Sequence, residues 1–272
     1  MNEVITTKYF MAVDTRLLSR PYVSSLTEIE IRKLLHFYLT ADYYKGTTIK
    51  GNNDFSKYNH LEDKDYRKVV KNLEERGFIK TYKHKGKSNF TTTAILFAPL
   101  YDEETKEFIQ TSNQWRNSAS MYSNQEHFAM IPKAAAEKLL ADKSLSLIHV
   151  LLMLKLYRYC DYSLFGGTDP NVIFNNGGVC IHPRITQDLR ISEDEAILML
   201  EDLETGGYFF WEESTLYNEQ FDMDKRVRVT TGNDYDFKTL ILKPTCQYLA
   251  EEKTNEKNRN WCISKSKDKR RL

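Results

Sequence analysis

Residues 63–97 read DKDYRKVVKNLEERGFIKTYKHKGKSNFTTTAILF. Tyr66, Val69, Val70 and Leu73 recur at i, i+3, i+4 and i+7, which builds one apolar face of a helix. Asp63 is a candidate N-cap, and Gly77 stands where a left-handed residue ends a helix. The other face carries Lys64, Arg67, Lys68 and Lys71. Phe78-Ile79 starts a strand, Lys83 to Lys87 makes a charged tip, and Phe90 to Phe97 returns, rich in Thr and apolar residues. From Lys64 to Phe90 nine Lys/Arg stand against three acids, a net of +6, whereas the whole chain is only +1. The charge is therefore local.

A helix with an apolar back and a basic front, running into a basic hairpin, suits a polyanion. The helix can enter a major groove while the hairpin lies along the neighbouring backbone or minor groove. The residues expected to touch double-stranded DNA are Lys64, Arg67, Lys68 and Lys71 on the helix. Lys80, Lys83, His84, Lys85 and Lys87 follow on the ribbon, and Lys57 and Tyr58 on a short helix before it. Arg67 is the strongest candidate for base reading, because a guanidinium matches the guanine edge in two bonds. The plainer reading of the same residues is a solvated helix followed by an ordinary hairpin.

With 272 residues, 41% hydrophobic and 12% aromatic, the chain has the material for one or two packed domains. Its near-neutral charge excludes a general polyanion sponge. There is no apolar run long enough to span a membrane, and MNEVITTKYF lacks the pattern of a secretory signal. The expectation is a soluble cytoplasmic protein with no membrane partner. Cys160, Cys180, Cys246 and Cys262 form no Cys-x-x-Cys, and no His falls at zinc-finger spacing, so neither metal nor cofactor is expected. Phosphate-cradling glycine loops, H-E-x-x-H and G-x-S-x-G are all missing from the sequence. No catalytic residue is assigned, and the chain is not expected to be an enzyme. A nucleic-acid enzyme with a dispersed active site is the alternative, which metal-dependent cleavage would reveal.

Before the basic helix, Thr27-x-x-Glu30 is a capping box opening a helix with Ile31, Leu34, Leu35 and Tyr38 on one face. A short strand at Thr47–Lys50 and a short helix at Asp54–Tyr58 complete the order helix, strand, helix, helix, hairpin. Residues 101–126 are polar and read as a linker, partly ordered by Phe108 and Trp115. Beyond it the pattern repeats. Tyr9-Phe10 and Val13 match His127-Phe128 and Ile131 at an offset of 118, and Ile31, Leu34, Leu35 and Tyr38 match Val150, Met153, Leu154 and Tyr157 at 119. Leu73-Glu74-x-x-Gly77-Phe78-Ile79 matches Leu203-Glu204-x-x-Gly207-Tyr208-Phe209 at 130. Such self-similarity indicates two copies of one module.

In the second copy Val179–Ile181 is the expected short strand. Ser192-x-x-Glu195 caps the next helix. Tyr208–Trp211 starts a second ribbon, which returns at Lys225–Val229 before a further strand at Phe237–Leu242. The helix from Glu193 to Glu204 holds six acids and no Lys or Arg, so phosphates would repel it. The second copy is accordingly assigned to a homodimer or protein partner, with secondary DNA contacts at Arg184, Lys225, Arg226 and Arg228. Residues 245–272 form a polar, basic tail.

The element order and the repeated Leu-Glu-x-x-Gly-aromatic-apolar junction resemble the winged helix-turn-helix family. The resemblance implies an α+β, mainly helical fold with two winged-helix domains related by internal duplication, at 1–100 and 127–244. Two such domains, each with an entry segment such as Phe128–Lys133, also look like plasmid and phage replication initiators. The resemblance implies a sequence-specific regulator of transcription or of replication of a mobile element. A protein-interaction adaptor on the same scaffold is the alternative.

Overall fold

The structure, a computed structural model, describes residues 10–42, 45–49, 63–83, 91–110, 116, 128–161, 167–168, 174–175, 180–216, 219–222, 227–230 and 237–244. Among them are seven helices and small antiparallel sheets of two to four strands, a mixed α and β architecture. The chain opens with β1 (Phe10–Asp14), a 3₁₀ turn (Thr15–Leu18), α1 (Arg20–Ser25), α2 (Glu28–Thr40) and β2 (Thr47–Thr48). It continues through α3 (Asp63–Glu75), β3 (Ile79–Lys83), β4 (Thr91–Ile95), β5 (Leu100–Asp102) and β6 (Glu107–Ile109). Then come β7 (Phe128–Pro132), α4 (Lys133–Ala141), α5 (Leu147–Arg158), β8 (Cys160–Asp161), β9 (Gly167–Thr168), β10 (Phe174–Asn175) and β11 (Cys180–Ile181). The last elements are α6 (Pro183–Leu189), α7 (Glu193–Thr205), β12 (Phe209–Leu216), β13 (Glu219–Asp222), β14 (Val227–Thr230) and β15 (Phe237–Pro244). They form two compact units. One is Tyr9–Arg158 with Pro183–Ala196, and the other contains Tyr159–His182 and the chain from Ile197 onward.

The core of the first unit is built on α2 and α5. The capping box holds at the start of α2, where the Glu30 amide donates to Thr27 Oγ1 at 3.3 Å and the Thr27 amide donates to the Glu30 carboxylate at 2.8 Å. Ile31, Leu34, Leu35, Phe37, Tyr38 and Leu39 are all buried, so α2 is covered nearly all round. The same holds for α5, which buries Leu147 and every residue from Val150 to Tyr157. Helices apolar on every side belong in a core. Each nevertheless carries a buried lysine. Lys33 Nζ lies 4.3 Å from the Phe37 ring centre and 3.4 Å from His36 Nδ1. Lys155 Nζ donates to Asp188 on α6 at 2.6 Å. Burial pushes Lys155 below the ordinary lysine value, and the Asp188 carboxylate opposes this by holding the proton in place.

Strands β1 and β7 pair antiparallel, with Ala12 opposite Met130. Positions 12 and 130 differ by 118, the offset that relates the two entry segments in the sequence. Phe10 therefore faces Pro132, and Asp14 faces Phe128, symmetrically about the Ala12–Met130 pair. Neighbouring elements follow the same reciprocity: the 3₁₀ turn after β1 packs on α5, and α4 after β7 packs on α2. The buried end of β1 is fixed by charge. Asp14 accepts from Arg16 Nε at 3.0 Å, Arg16 Nη2 at 2.7 Å and the Ala98 amide at 3.2 Å. Arg116 donates from Nη2 to the Ala12 carbonyl and from its amide to the Ile95 carbonyl, and its guanidinium lies 4.1 Å from the Tyr38 ring centre. Burial pushes the Tyr38 hydroxyl above its usual value and the Arg116 guanidinium below its own.

The first ribbon is β3–β4, from Ile79 opposite Ile95 to Lys83 opposite Thr91, and β2 adds to β4 to give the order β2-β4-β3. The second ribbon corrects the sequence reading. Its return strand is β15, which pairs with β12 along all eight residues, whereas Val227–Val229 of the expected return segment lie in β14, paired over four residues with β13. β15 has eight residues against four in β14 and so offers the longer ladder. Cys180–Ile181 is a strand, as expected, and pairs with Phe174–Asn175, while Thr168 sits opposite Leu242 of the ribbon. Helices α1 and α4 were not anticipated. Pro21 in the first turn favours the first, and three consecutive alanines favour the second. The expected helix Asp54–Tyr58 lies outside the described residues.

The Lys155–Asp188 pair gives a test of this core. Removing the partly exposed carboxylate leaves a buried cation, so Asp188→Ala should lower stability by about 2–3 kcal/mol. Lys155→Met should change it by no more than about 1 kcal/mol. Urea unfolding of both variants measures the difference, and equal losses would contradict it.

Candidate functional site

Helix α3 lies on α2 by the face expected from its periodicity. Val69 and Leu73 are buried, while Tyr66 and Val70 are half-buried. The Tyr66 ring covers the buried Lys33 ammonium, with 4.2 Å between Nζ and the ring centre. Glu30, 2% exposed, is the polar anchor of this seam. It accepts from Asn72 Nδ2 at 3.3 Å and Arg76 Nη1 at 3.4 Å, and Arg76 also donates to the Ser25 carbonyl at 3.1 Å. Arg76, counted with the basic charge in the sequence, is thus drawn into the seam between α2 and α3.

Arg67, Lys68 and Lys71 remain on the exposed face, and Lys64 lies in the first turn of the helix. Lys71 Nζ is 3.5 Å from Glu75 Oε1, with side chains 74% and 61% exposed. Such a pair is worth little against solvent, so the lysine stays available to a stronger anion. Asp63 is the first residue of α3 rather than a cap ahead of it.

The helix stops at Gly77, whose φ is +79°. The Gly77 amide donates to the Glu74 carbonyl at 3.0 Å and the Phe78 amide to the Leu73 carbonyl at 2.9 Å. These are the two bonds of a Schellman turn, which needs a left-handed residue at that position. The end of α7 has the same turn: Gly207 has φ +69°, and Gly207 and Tyr208 donate to Glu204 and Leu203, both at 2.9 Å. The spacing Leu-Glu-x-x-Gly is the sequence form of this turn. The Glu of the first junction has a further role. Glu74 Oε1 accepts from the Thr81 amide at 2.7 Å and from its hydroxyl at 2.9 Å, which ties β3 to the helix.

The junction is braced by a hairpin that the sequence reading placed in the linker. Strands β5 and β6 bring Phe108 to 5.0 Å from Phe78, 5.4 Å from Tyr22 and 5.3 Å from Tyr101, measured between ring centres. The Tyr22 hydroxyl donates to the Pro99 carbonyl at 2.6 Å. The sequence marks Phe108 as an ordering residue, but the pairing of its strand depends on contacts that no local pattern shows.

On β3, Ile79 is buried while Lys80, Tyr82 and Lys83 are exposed, and Lys80 Nζ lies 5.7 Å from the Tyr82 ring centre. The structure thus joins three exposed cations of α3 to two on β3 through one hydrogen-bonded glycine turn. Lys57, Tyr58, His84, Lys85, Lys87, Lys225 and Arg226 lie outside the described residues. Arg184 is exposed on α6, and Arg228 is placed by its backbone in β14 opposite Phe221.

Helix α7 presents a different surface. Its capping box is formed by Ser192 and Glu195, and bonds from the Ser192 amide and hydroxyl hold the Glu195 carboxyl below its usual range. Leu198, Glu201, Asp202 and Glu204 are exposed. Among the described residues no three His, Cys, Asp or Glu side chains stand together as metal ligands. Comparison with known proteins finds no matching family model, curated protein or solved structure.

Gly77→Ala and Gly207→Ala should both destabilise the fold, since a side chain in the left-handed region costs about 1–2 kcal/mol. The loss should be larger at position 77, where a Cβ would stand 3.0 Å from the Gln110 side chain, than at 207, where nothing lies within 4 Å. Denaturant midpoints would show this, and the reverse order would contradict it.

Proposed function

We propose that the chain is a double-stranded DNA-binding protein with two winged-helix modules, in which α3 enters the major groove and the β3–β4 ribbon holds phosphates. One observation carries the reading. A helix packed through Val69 and Leu73 and exposing Arg67, Lys68 and Lys71 passes, through a hydrogen-bonded glycine turn, into a ribbon exposing Lys80 and Lys83. The strand order β2-β4-β3, with α2 before β2 and α3 before the ribbon, supports a winged helix. A duplicated module at 1–100 and 127–244 is supported by the repeated Schellman turn and by the meeting of positions 12 and 130.

In this reading α3 supplies the groove contacts and Arg67 the base discrimination, worth about 1–3 kcal/mol for a bidentate pair. The ribbon lysines add affinity without reading sequence. The role that fits is control of transcription or of replication of a mobile element through repeated or palindromic sites, in the cytoplasm. No described helix is long and apolar enough to cross a membrane.

Fluorescence anisotropy on a random duplex across a salt series tests the assignment. Six phosphate contacts predict a slope of log affinity against log salt of about −5, or roughly a thousandfold loss between 50 and 200 mM salt. A Lys68→Ala, Lys71→Ala, Lys83→Ala triple variant should flatten the slope to about −2 to −3. No binding at 50 mM salt, or an unchanged slope in the variant, would overturn it.

A further inference from the structure

We infer that Arg20, Arg158 and Arg184, gathered around the Lys155–Asp188 pair, form a second phosphate-binding surface that extends the contact of α3 and the ribbon along the same DNA duplex. The three arginines belong to α1, α5 and α6, and all lie in the first compact unit. Helix α6 packs on both α1 and α5. Asp188 joins the three elements: its Oδ2 accepts from Lys155 Nζ at 2.6 Å, and its Oδ1 from the Arg20 amide at 3.4 Å. Arg184 stands four residues before Asp188 on α6, and Arg158 three residues after Lys155 on α5, so each shares a helix face with a member of the pair. Arg20, Arg158 and Arg184 are exposed. Four cations thus stand around Asp188 in a chain whose total charge is only +1.

This grouping opposes folding. Lys155 is held below the ordinary lysine value first by burial, which Asp188 opposes, and further by Arg158 and Arg184, so both arginines lie close enough to repel the ammonium. Like charges held together destabilise a compact state. A phosphate seated among the arginines offsets that repulsion, and a guanidinium matches phosphate oxygens in two bonds. The position suits a duplex already seated on α3. Ser25, the last residue of α1, accepts from Arg76 beyond the end of α3 at 3.1 Å. Arg20 begins α1, about 8 Å away at 1.5 Å per residue. Duplex DNA carries one charge per about 1.7 Å of axis, so phosphates recur within this spacing. The extension rests on the proposed reading of α3 and the ribbon.

The test is a salt series by fluorescence anisotropy on a random duplex, using the full chain and two triple variants. Arg20→Gln, Arg158→Gln, Arg184→Gln removes three charges, and the slope of log affinity against log salt should flatten by about 2–3. Arg20→Lys, Arg158→Lys, Arg184→Lys keeps the charges and should retain the wild-type slope. The urea midpoint of the Gln variant should not fall below that of wild type, because the substitutions relieve the repulsion on Lys155. An unchanged slope in the Gln variant, an equal flattening in the Lys variant, or a lowered midpoint in the Gln variant would each overturn the inference. Flattening in the Gln variant but not in the Lys68→Ala, Lys71→Ala, Lys83→Ala variant would overturn the α3 reading and support this surface. The converse would overturn this surface alone. Absence of wild-type binding at about 50 mM salt would overturn both.

Discussion

A single left-handed residue, Gly77, sets the direction in which the chain leaves α3. With φ at +79° the last carbonyls of the helix are capped by the amides of Gly77 and Phe78, and the chain turns back along the helix. Only then can Phe78 and Ile79 both be buried, Thr81 reach Glu74, and β3 find β4. Phe108 packs onto Phe78 and Gln110 lies against the glycine itself, so the β5–β6 hairpin also depends on this turn. An L-residue with a Cβ at this position would strain the backbone and crowd Gln110 at once.

The core of the first unit is held by buried polar and charged groups as well as by apolar packing. Glu30 joins the start of α2 to the end of α3, Arg116 ties β1 to Ile95 of β4 and Asp14 ties it to Ala98 just beyond, and Lys155 joins α5 to α6. Ionic groups out of water add little net stability over apolar ones of the same size. Their directional bonds do penalise other arrangements, because a misplaced strand or helix would leave them unsatisfied. Helices α2 and α5 are apolar on nearly every side and could pack in several rotations. The buried lysines and their partners distinguish among these.

Helices α3 and α7 end in the same turn yet present opposite charge. The first exposes Arg67, Lys68 and Lys71, and the second exposes Leu198, Glu201, Asp202 and Glu204. Backbone geometry at the C-terminus is governed by Leu-Glu-x-x-Gly, which leaves the outer face free to vary. In the proposed reading this freedom divides the work: one helix faces phosphate, and the other is repelled by it.

What could be read in the sequence was local. Thr27 with Glu30 and Ser192 with Glu195 cap helices because the partners stand three residues apart. Tyr66, Val69, Val70 and Leu73 mark the packed face of α3 because the helical repeat alone puts them together. Gly77 and Gly207 mark the turns, and the exposed cations of the candidate site follow by subtraction. Pairing over long separations escaped local reading. β15 rather than β14 completes the second ribbon, Thr168 joins its edge, β5 and β6 brace the α3 junction, and Arg76 turns inward to Glu30. Each choice is made by competition among segments of similar composition, settled by ladder length, burial and the positions of distant partners. Those quantities exist only once the chain has folded. The sequence by itself determined where helices begin, face and stop; the tertiary structure decided which strands meet and which charges remain outside.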